Sequence, residues 1–144
     1  METKYFKNEL AKGGVLTCPC GCGATLSQDT VNKLDKTRDL YGKPVFVEQG
    51  GTCKDYSINK VGRKETSAHI DKGDGASGVD VKNKTFKTKE DYFKFLSCAI
   101  QAGFTGFGQG SKWVGAGTDT RLHIDTKRGT SGDFRSWTYG IKKH

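Results

Sequence analysis

The chain has 144 residues and five cysteines, and Lys and Arg outnumber Asp and Glu by 24 to 16, for a formal net charge of +8. That length suits one domain around one core, residues 1–144, and excludes two substantial ones. No window approaches the roughly 18 apolar residues of a helical bilayer span. The opening METKYFKNELAKGG also lacks the apolar stretch of a secretion signal, so synthesis in the cytoplasm is expected.

The first distinctive run is Cys18-Pro19-Cys20-Gly21-Cys22, with Cys53 and Cys98 far off. Without an export signal, such usage points to reduced thiols or a metal before a disulfide framework. The run is spaced more closely than the C-x2-C hairpins of standard structural zinc sites. A tight Gly-rich turn tucked against the core near Cys53 is the competing expectation.

A helix is expected from Ser27 to Tyr41, capped by Ser27 or Asp29, with Val31, Leu34 and Tyr41 at helical spacing and Gly42 as its stop. Lys43 to Glu48 reads as a short strand in the central sheet, ended by Gly50-Gly51. Lys54 to Lys72 is polar without a steady period, and the glycine-rich stretch from Gly73 to Gly78 then feeds a short strand, Val79-Asp80-Val81.

A second helix begins at Thr88, with Asp91 in capping-box spacing. Its expected apolar stripe is Tyr92, Phe93, Leu96, Ala99 and Ile100, and Gly103 closes it. Phe104, Phe107, Trp113 and Val114 precede the segment Arg121 to Asp125. The last segment alternates polar and apolar residues as a strand does and carries Trp137 and Tyr139. This order predicts an α+β domain with a mostly antiparallel central sheet flanked by helices.

Of three histidines, His144 is terminal, which leaves His69 and His123. Each precedes an isoleucine and then an aspartate. Two imidazoles and a carboxylate, with a fourth position open to water, form a standard ligand set for catalytic zinc. Asp80 is the best carboxylate, because it follows His69 closely and an unpaired charge on an apolar strand is unfavourable. The competing interpretation is a pair of ordinary hydrogen-bonded His–Asp contacts, and no H-E-x-x-H motif is present.

The order of motifs resembles the zinc D-Ala-D-Ala carboxypeptidases and phage L-alanyl-D-glutamate endopeptidases. Those proteins read F-x-C-x-C-G-C, a helix ending L-x-x-x-R and G-K-P, then S-G-Y-R-C, V-G-G, S-x-H-x-x-G-x-A-x-D and a late H-V-D. The matching residues here are Cys18 to Gly23, Leu34 with Arg38, Gly42-Lys43-Pro44, Val61-Gly62, Ser67-Ala68-His69, Ala76 to Asp80, His123 to Thr126, and Arg135 to Tyr139. The resemblance implies a hedgehog-like or D-Ala-D-Ala-peptidase-like fold, Zn2+ on His69, Asp80 and His123, and cleavage of peptidoglycan stem peptides. It also implies action at the bacterial wall as a phage lysis or tail-associated enzyme, a monomer or part of a particle.

Three departures from the pattern leave alternatives. The gap from His69 to Asp80 is longer than usual, which keeps Asp71 and Asp74 as rival ligands. Thr52 stands where the family carries a substrate-gripping arginine, and Lys54 or Arg63 are the stand-ins. Thr120 stands where many members place the general base. Asp125 is the favoured substitute, as base or as partner of His123, with Asp119 the other choice. Ser67 is expected to hydrogen-bond substrate or orient His69.

The spread positive charge favours polyanions in general, anionic wall polymers among them. A non-catalytic wall-binding or virion module is the first rival function. A single-strand nucleic-acid binder using Phe104, Phe107, Trp113 and Trp137 is the second and weaker one.

Overall fold

The computed structural model describes residues 1–109, 121–128 and 132–138. Trp113, Val114, Asp119, Thr120, Tyr139 and His144 lie outside them. After a short helix α1 (Lys7–Leu10) comes α2 (Gln28–Tyr41), where the Ser27 hydroxyl accepts from the Thr30 N–H at 3.1 Å. That bond satisfies one of the open donors of the first turn. Gly42, at φ 75°, closes the helix with a left-handed cap.

Strands β1 (Val47–Gln49), β2 (Gly78–Val81), β3 (Gly106–Gln109), β4 (Leu122–Asp125) and β5 (Arg135–Thr138) form one open sheet in the order β1-β2-β4-β3-β5. Three of the pairings are antiparallel and β3–β5 is parallel. The α+β, mostly antiparallel expectation is met at this level. Helix α3 (Lys89–Ala102) packs against α2 and is capped by Thr88, whose hydroxyl accepts from the Asp91 N–H at 3.1 Å.

Two local expectations are corrected. The first strand begins at Val47, not Lys43, and lies at the sheet edge: the Phe46 N–H goes to the Thr85 hydroxyl at 3.0 Å instead of to a neighbouring strand. In α3 the buried face is Tyr92, Phe95, Cys98, Ala99 and Ala102, while Phe93 and Ile100 are exposed. The sequence holds two overlapping apolar stripes at helical spacing, and packing against Tyr41 and Phe86 selects the one through Phe95.

The period of two along the strands separates two chemistries. Val79, Val81, Phe107, Leu122 and Ile124 enter the core with Val31, Leu34 and Phe95. Asp80, His123, Asp125, Arg135 and Trp137 occupy the alternate positions. The polar segment 50–71 returns over that second face, tied by the Thr52–Ile70 bridge and containing a π turn at Tyr56–Lys60. β2 and β4 are consequently buried on both faces. Among the described residues no helix is long and apolar enough to cross a membrane.

Phe95 is fully buried and meets Tyr41 and Phe86 edge-on at 5.3 and 5.2 Å. Phe95→Ala is expected to destabilise the fold by about 3–5 kcal/mol, read as a lower urea midpoint with an unchanged slope.

Candidate metal centre

Asp80 and His123 are direct cross-strand partners on β2 and β4, so their side chains leave the same face side by side. His69 arrives from the covering segment. Its backbone is fixed on both sides, by the Thr52 N–H donated to its carbonyl at 2.7 Å and by its own N–H donated to Ser67 Oγ at 3.2 Å. The result is a triangle: His69 Nε2, Asp80 Oδ1 and His123 Nδ1 are each 3.1 Å from the other two.

The outward nitrogens decide what that triangle is. His69 Nδ1 lies 2.7 Å from the Gly50 carbonyl, which can only accept, so this nitrogen carries the proton. His123 Nε2 likewise donates to Asp125 Oδ2 at 2.8 Å. With their inner nitrogens unprotonated, imidazoles held this way would direct two lone pairs and a carboxylate oxygen at one point. Three acceptors at such separations repel unless a proton or a cation lies among them. Two nitrogens and an oxygen, all buried, are donors that borderline divalent transition metals favour.

The supports are equally specific. Asp125 is fully buried and accepts from Arg135 Nη1 at 2.8 Å and from the Lys127 N–H at 3.0 Å, besides His123. Room for this cluster exists because position 106 is glycine: a Cβ there would lie 2.6 Å from Arg135 Nη1 and against the Asp125 carboxylate. Arg121 Nε sits 3.5 Å from Asp80 Oδ2, and the Trp137 ring packs 5.5 Å from that of His123 with the Arg135 guanidinium over it.

A cleft of about 600 Å3 opens above the triangle, lined by Arg63, Lys64, Ser67, Arg121, Arg135 and Trp137 among others. Arg63 Nη1 is 3.4 Å from the Thr52 hydroxyl, so a guanidinium reaches the neighbourhood of position 52 from elsewhere in the chain. Lys54 does not line the cleft and pairs with Glu65 on the surface at 3.4 Å. Asp71 staples its own loop, accepting from the Thr25, Gly73 and Gly75 N–H groups at 2.8–3.1 Å, and Asp74 is exposed. Neither rival joins the triangle.

Sequence alone assigns Arg121 no role, Arg135 only a place in the matched strand motif, and Trp137 a role only in the nucleic-acid rival, whereas all three line the cleft. The signal for them was the same two-residue period that places His123 and Asp125 on one face. Phe104 and Phe107 are buried in the core and offer no ring faces for base stacking. Comparison with family models, with characterised proteins and with solved structures finds no match for this chain.

Charge in the cluster follows from these contacts. Burial opposes ionisation of Asp80, but hydrogen bonds from His123 and His69 outweigh it and hold the carboxyl far below its usual range. Burial likewise opposes the His123 imidazolium, yet Asp125 and Asp80 lift its pKa above the ordinary value. Asp125 is lowered, burial being outweighed by His123 and Arg135.

These shifts set the pH dependence of the metal-free protein. The His123 contribution is complete below about pH 6.5 and is lost as pH rises through its raised pKa. The Asp80 and Asp125 contributions are present above about pH 3.9 and are lost as pH falls through their depressed values. With a chelator present, thermal denaturation is expected to show greatest stability between about pH 4 and 6.5 and a Tm that falls as pH rises above that window. A bound metal requires neutral imidazoles and should remove that alkaline fall.

Proposed function

We propose that the chain is a zinc-dependent peptidase acting on peptidoglycan stem peptides, as a phage-type lysis or tail-associated enzyme at the bacterial wall. The observation that carries this reading is the triangle of His69 Nε2, Asp80 Oδ1 and His123 Nδ1 at 3.1 Å separations beneath a cationic cleft. Ligands at about 2.0–2.1 Å in tetrahedral zinc lie roughly 3.3 Å apart, close to the spacing found. The resemblance in motif order supports the same assignment, and the family's hedgehog-like fold belongs to this proposal.

Bound zinc supplies Lewis acidity toward a scissile carbonyl and a water that ionises near neutral pH. The chain's own residues do the rest. Gly50 and Asp125 fix the tautomer and tilt of the two imidazoles, as acceptors behind metal-binding histidines do. With its oxygens committed to His123, Arg135 and the Lys127 backbone, Asp125 acts as a positioning residue and not as the proton acceptor. Arg63, whose Nη1 and Nη2 rest on Thr52 and Gln49, stands in for the arginine absent at Thr52 by exchanging those neutral partners for a stem-peptide carboxylate. Lys64 and Arg121 add positive potential that draws an anionic wall polymer toward the cleft.

The test pairs zinc content with release of free amines from purified peptidoglycan. His69→Ala, Asp80→Asn and His123→Ala should each lose one equivalent of zinc together with amine release; zinc content equal to that of the wild type in all three would refute the site. Zinc uptake by the wild type without amine release would leave a non-catalytic wall-binding module instead. Asp125→Asn should keep the fold and weaken zinc affinity or activity by about 10–100-fold. Arg63→Ala should raise KM more than it lowers kcat, the pattern of lost ground-state binding.

A further inference from the structure

Four thiols meet at a second place, away from the histidines. Cys18, Cys20, Cys22 and Cys53 bring their sulfurs within 4.8 Å of one another, and none is in a disulfide. Cys18 Sγ lies 3.3 Å from Cys20 Sγ and 3.8 Å from Cys53 Sγ, and Cys20 Sγ is 3.7 Å from Cys53 Sγ. Sulfurs bound to one tetrahedral zinc at about 2.3 Å sit roughly 3.8 Å apart. The two distances to Cys53 lie at that edge, the Cys18–Cys20 distance is somewhat shorter, and all are far from the roughly 2.05 Å of a disulfide bond.

The local backbone explains how so short a run converges. The Gly21 N–H donates to the Cys18 carbonyl at 3.0 Å and the Cys18 N–H to the Ala24 carbonyl at 2.8 Å, which closes the run into a loop. Gly21 supplies the left-handed φ of 82° that this reversal needs. Alternate cysteines therefore turn inward together. Cys53 meets them from the covering segment, held by its N–H on Cys18 Sγ and by the Tyr56 N–H on its own sulfur, both at 3.4 Å.

Cys18 is buried and Cys53 half-buried, while Cys20 and Cys22 are exposed, which leaves a route of entry for an ion. We propose that Cys18, Cys20, Cys22 and Cys53 are a second metal site, a closed four-thiolate centre that takes zinc and serves structure. Its protein ligands fill all four positions, so it has no open place for water or substrate. Binding would displace the thiol protons to solvent and join the loop of residues 18–24 to the segment 50–53. That segment carries Gly50 and Thr52, two of the residues that hold His69, so the thiolate centre braces the histidine centre without sharing an atom with it.

The test uses the full chain, purified under reducing conditions and saturated with zinc before dialysis. Wild type should retain two zinc ions per chain, the His69→Ala/His123→Ala variant one, and the Cys20→Ser/Cys22→Ser variant one. Cobalt(II) loaded into the His69→Ala/His123→Ala variant should give intense thiolate-to-cobalt charge-transfer absorption, which the cysteine variant loses. Should the histidine variant fail to fold, the same absorption in wild-type protein decides the matter. No thiolate band in folded protein would overturn the proposal, as would intact-mass evidence of disulfides among these cysteines in metal-saturated wild type.

Discussion

The site depends on one constraint: two imidazoles and a carboxylate are held with their inward-facing atoms 3.1 Å apart, a convergence that only a proton or a cation among them relieves. In water such groups would separate. Here they cannot, because each has a second bond pulling from behind. Gly50 holds His69, Asp125 holds His123, and Arg121 stands beside the far oxygen of Asp80. Burial strengthens every term, since charge interactions grow as water is excluded. The unfavourable convergence is the preorganisation that a cation can use.

The rest of the architecture serves that geometry. An apolar sheet face backed by α2 and α3 fixes β2 and β4 in register, and register alone sets Asp80 against His123. A slip of one residue in either strand would turn that strand's ligand into the core and part it from the other. On the opposite face, small residues at Gly78, Gly106 and Gly108 leave space for His123, Asp125, Arg135 and Trp137. The segment 50–71 then closes over the face, and its anchoring at both the thiol cluster and the Thr52–Ile70 bridge determines where His69 stands.

Much of this was legible in the sequence because it rested on local rules. Ser27 with Gly42 and Thr88 with Gly103 mark the two long helices through bonds within a turn. The metal triangle was legible because the chain has so few histidines. What sequence left open was decided by contacts between distant segments. Nothing local separates Phe93 from Phe95, or Asp71 from Asp80: the first pair is sorted by α2 and the second by three backbone N–H groups. The C-x-C-x-C run matched no standard hairpin spacing, and its meeting with Cys53 needs the fold. Arg63 was named only as one of two stand-ins, and its reach to Thr52 favours it over Lys54.

The pairing of Asp80 with His123 also has a bearing on the order of events in folding. These two residues are 43 positions apart, and His69 and His123 are 54 apart, whereas His69 and Asp80 are separated by only 11. Closing the longer loops carries a larger entropy cost than closing the short one. Before β2 and β4 dock, an ion meets at most an incomplete pair of ligands. The complete set arises only with the β2–β4 pairing, the most non-local strand pairing among the described residues, so a cation can find all three groups together only after those two strands have met.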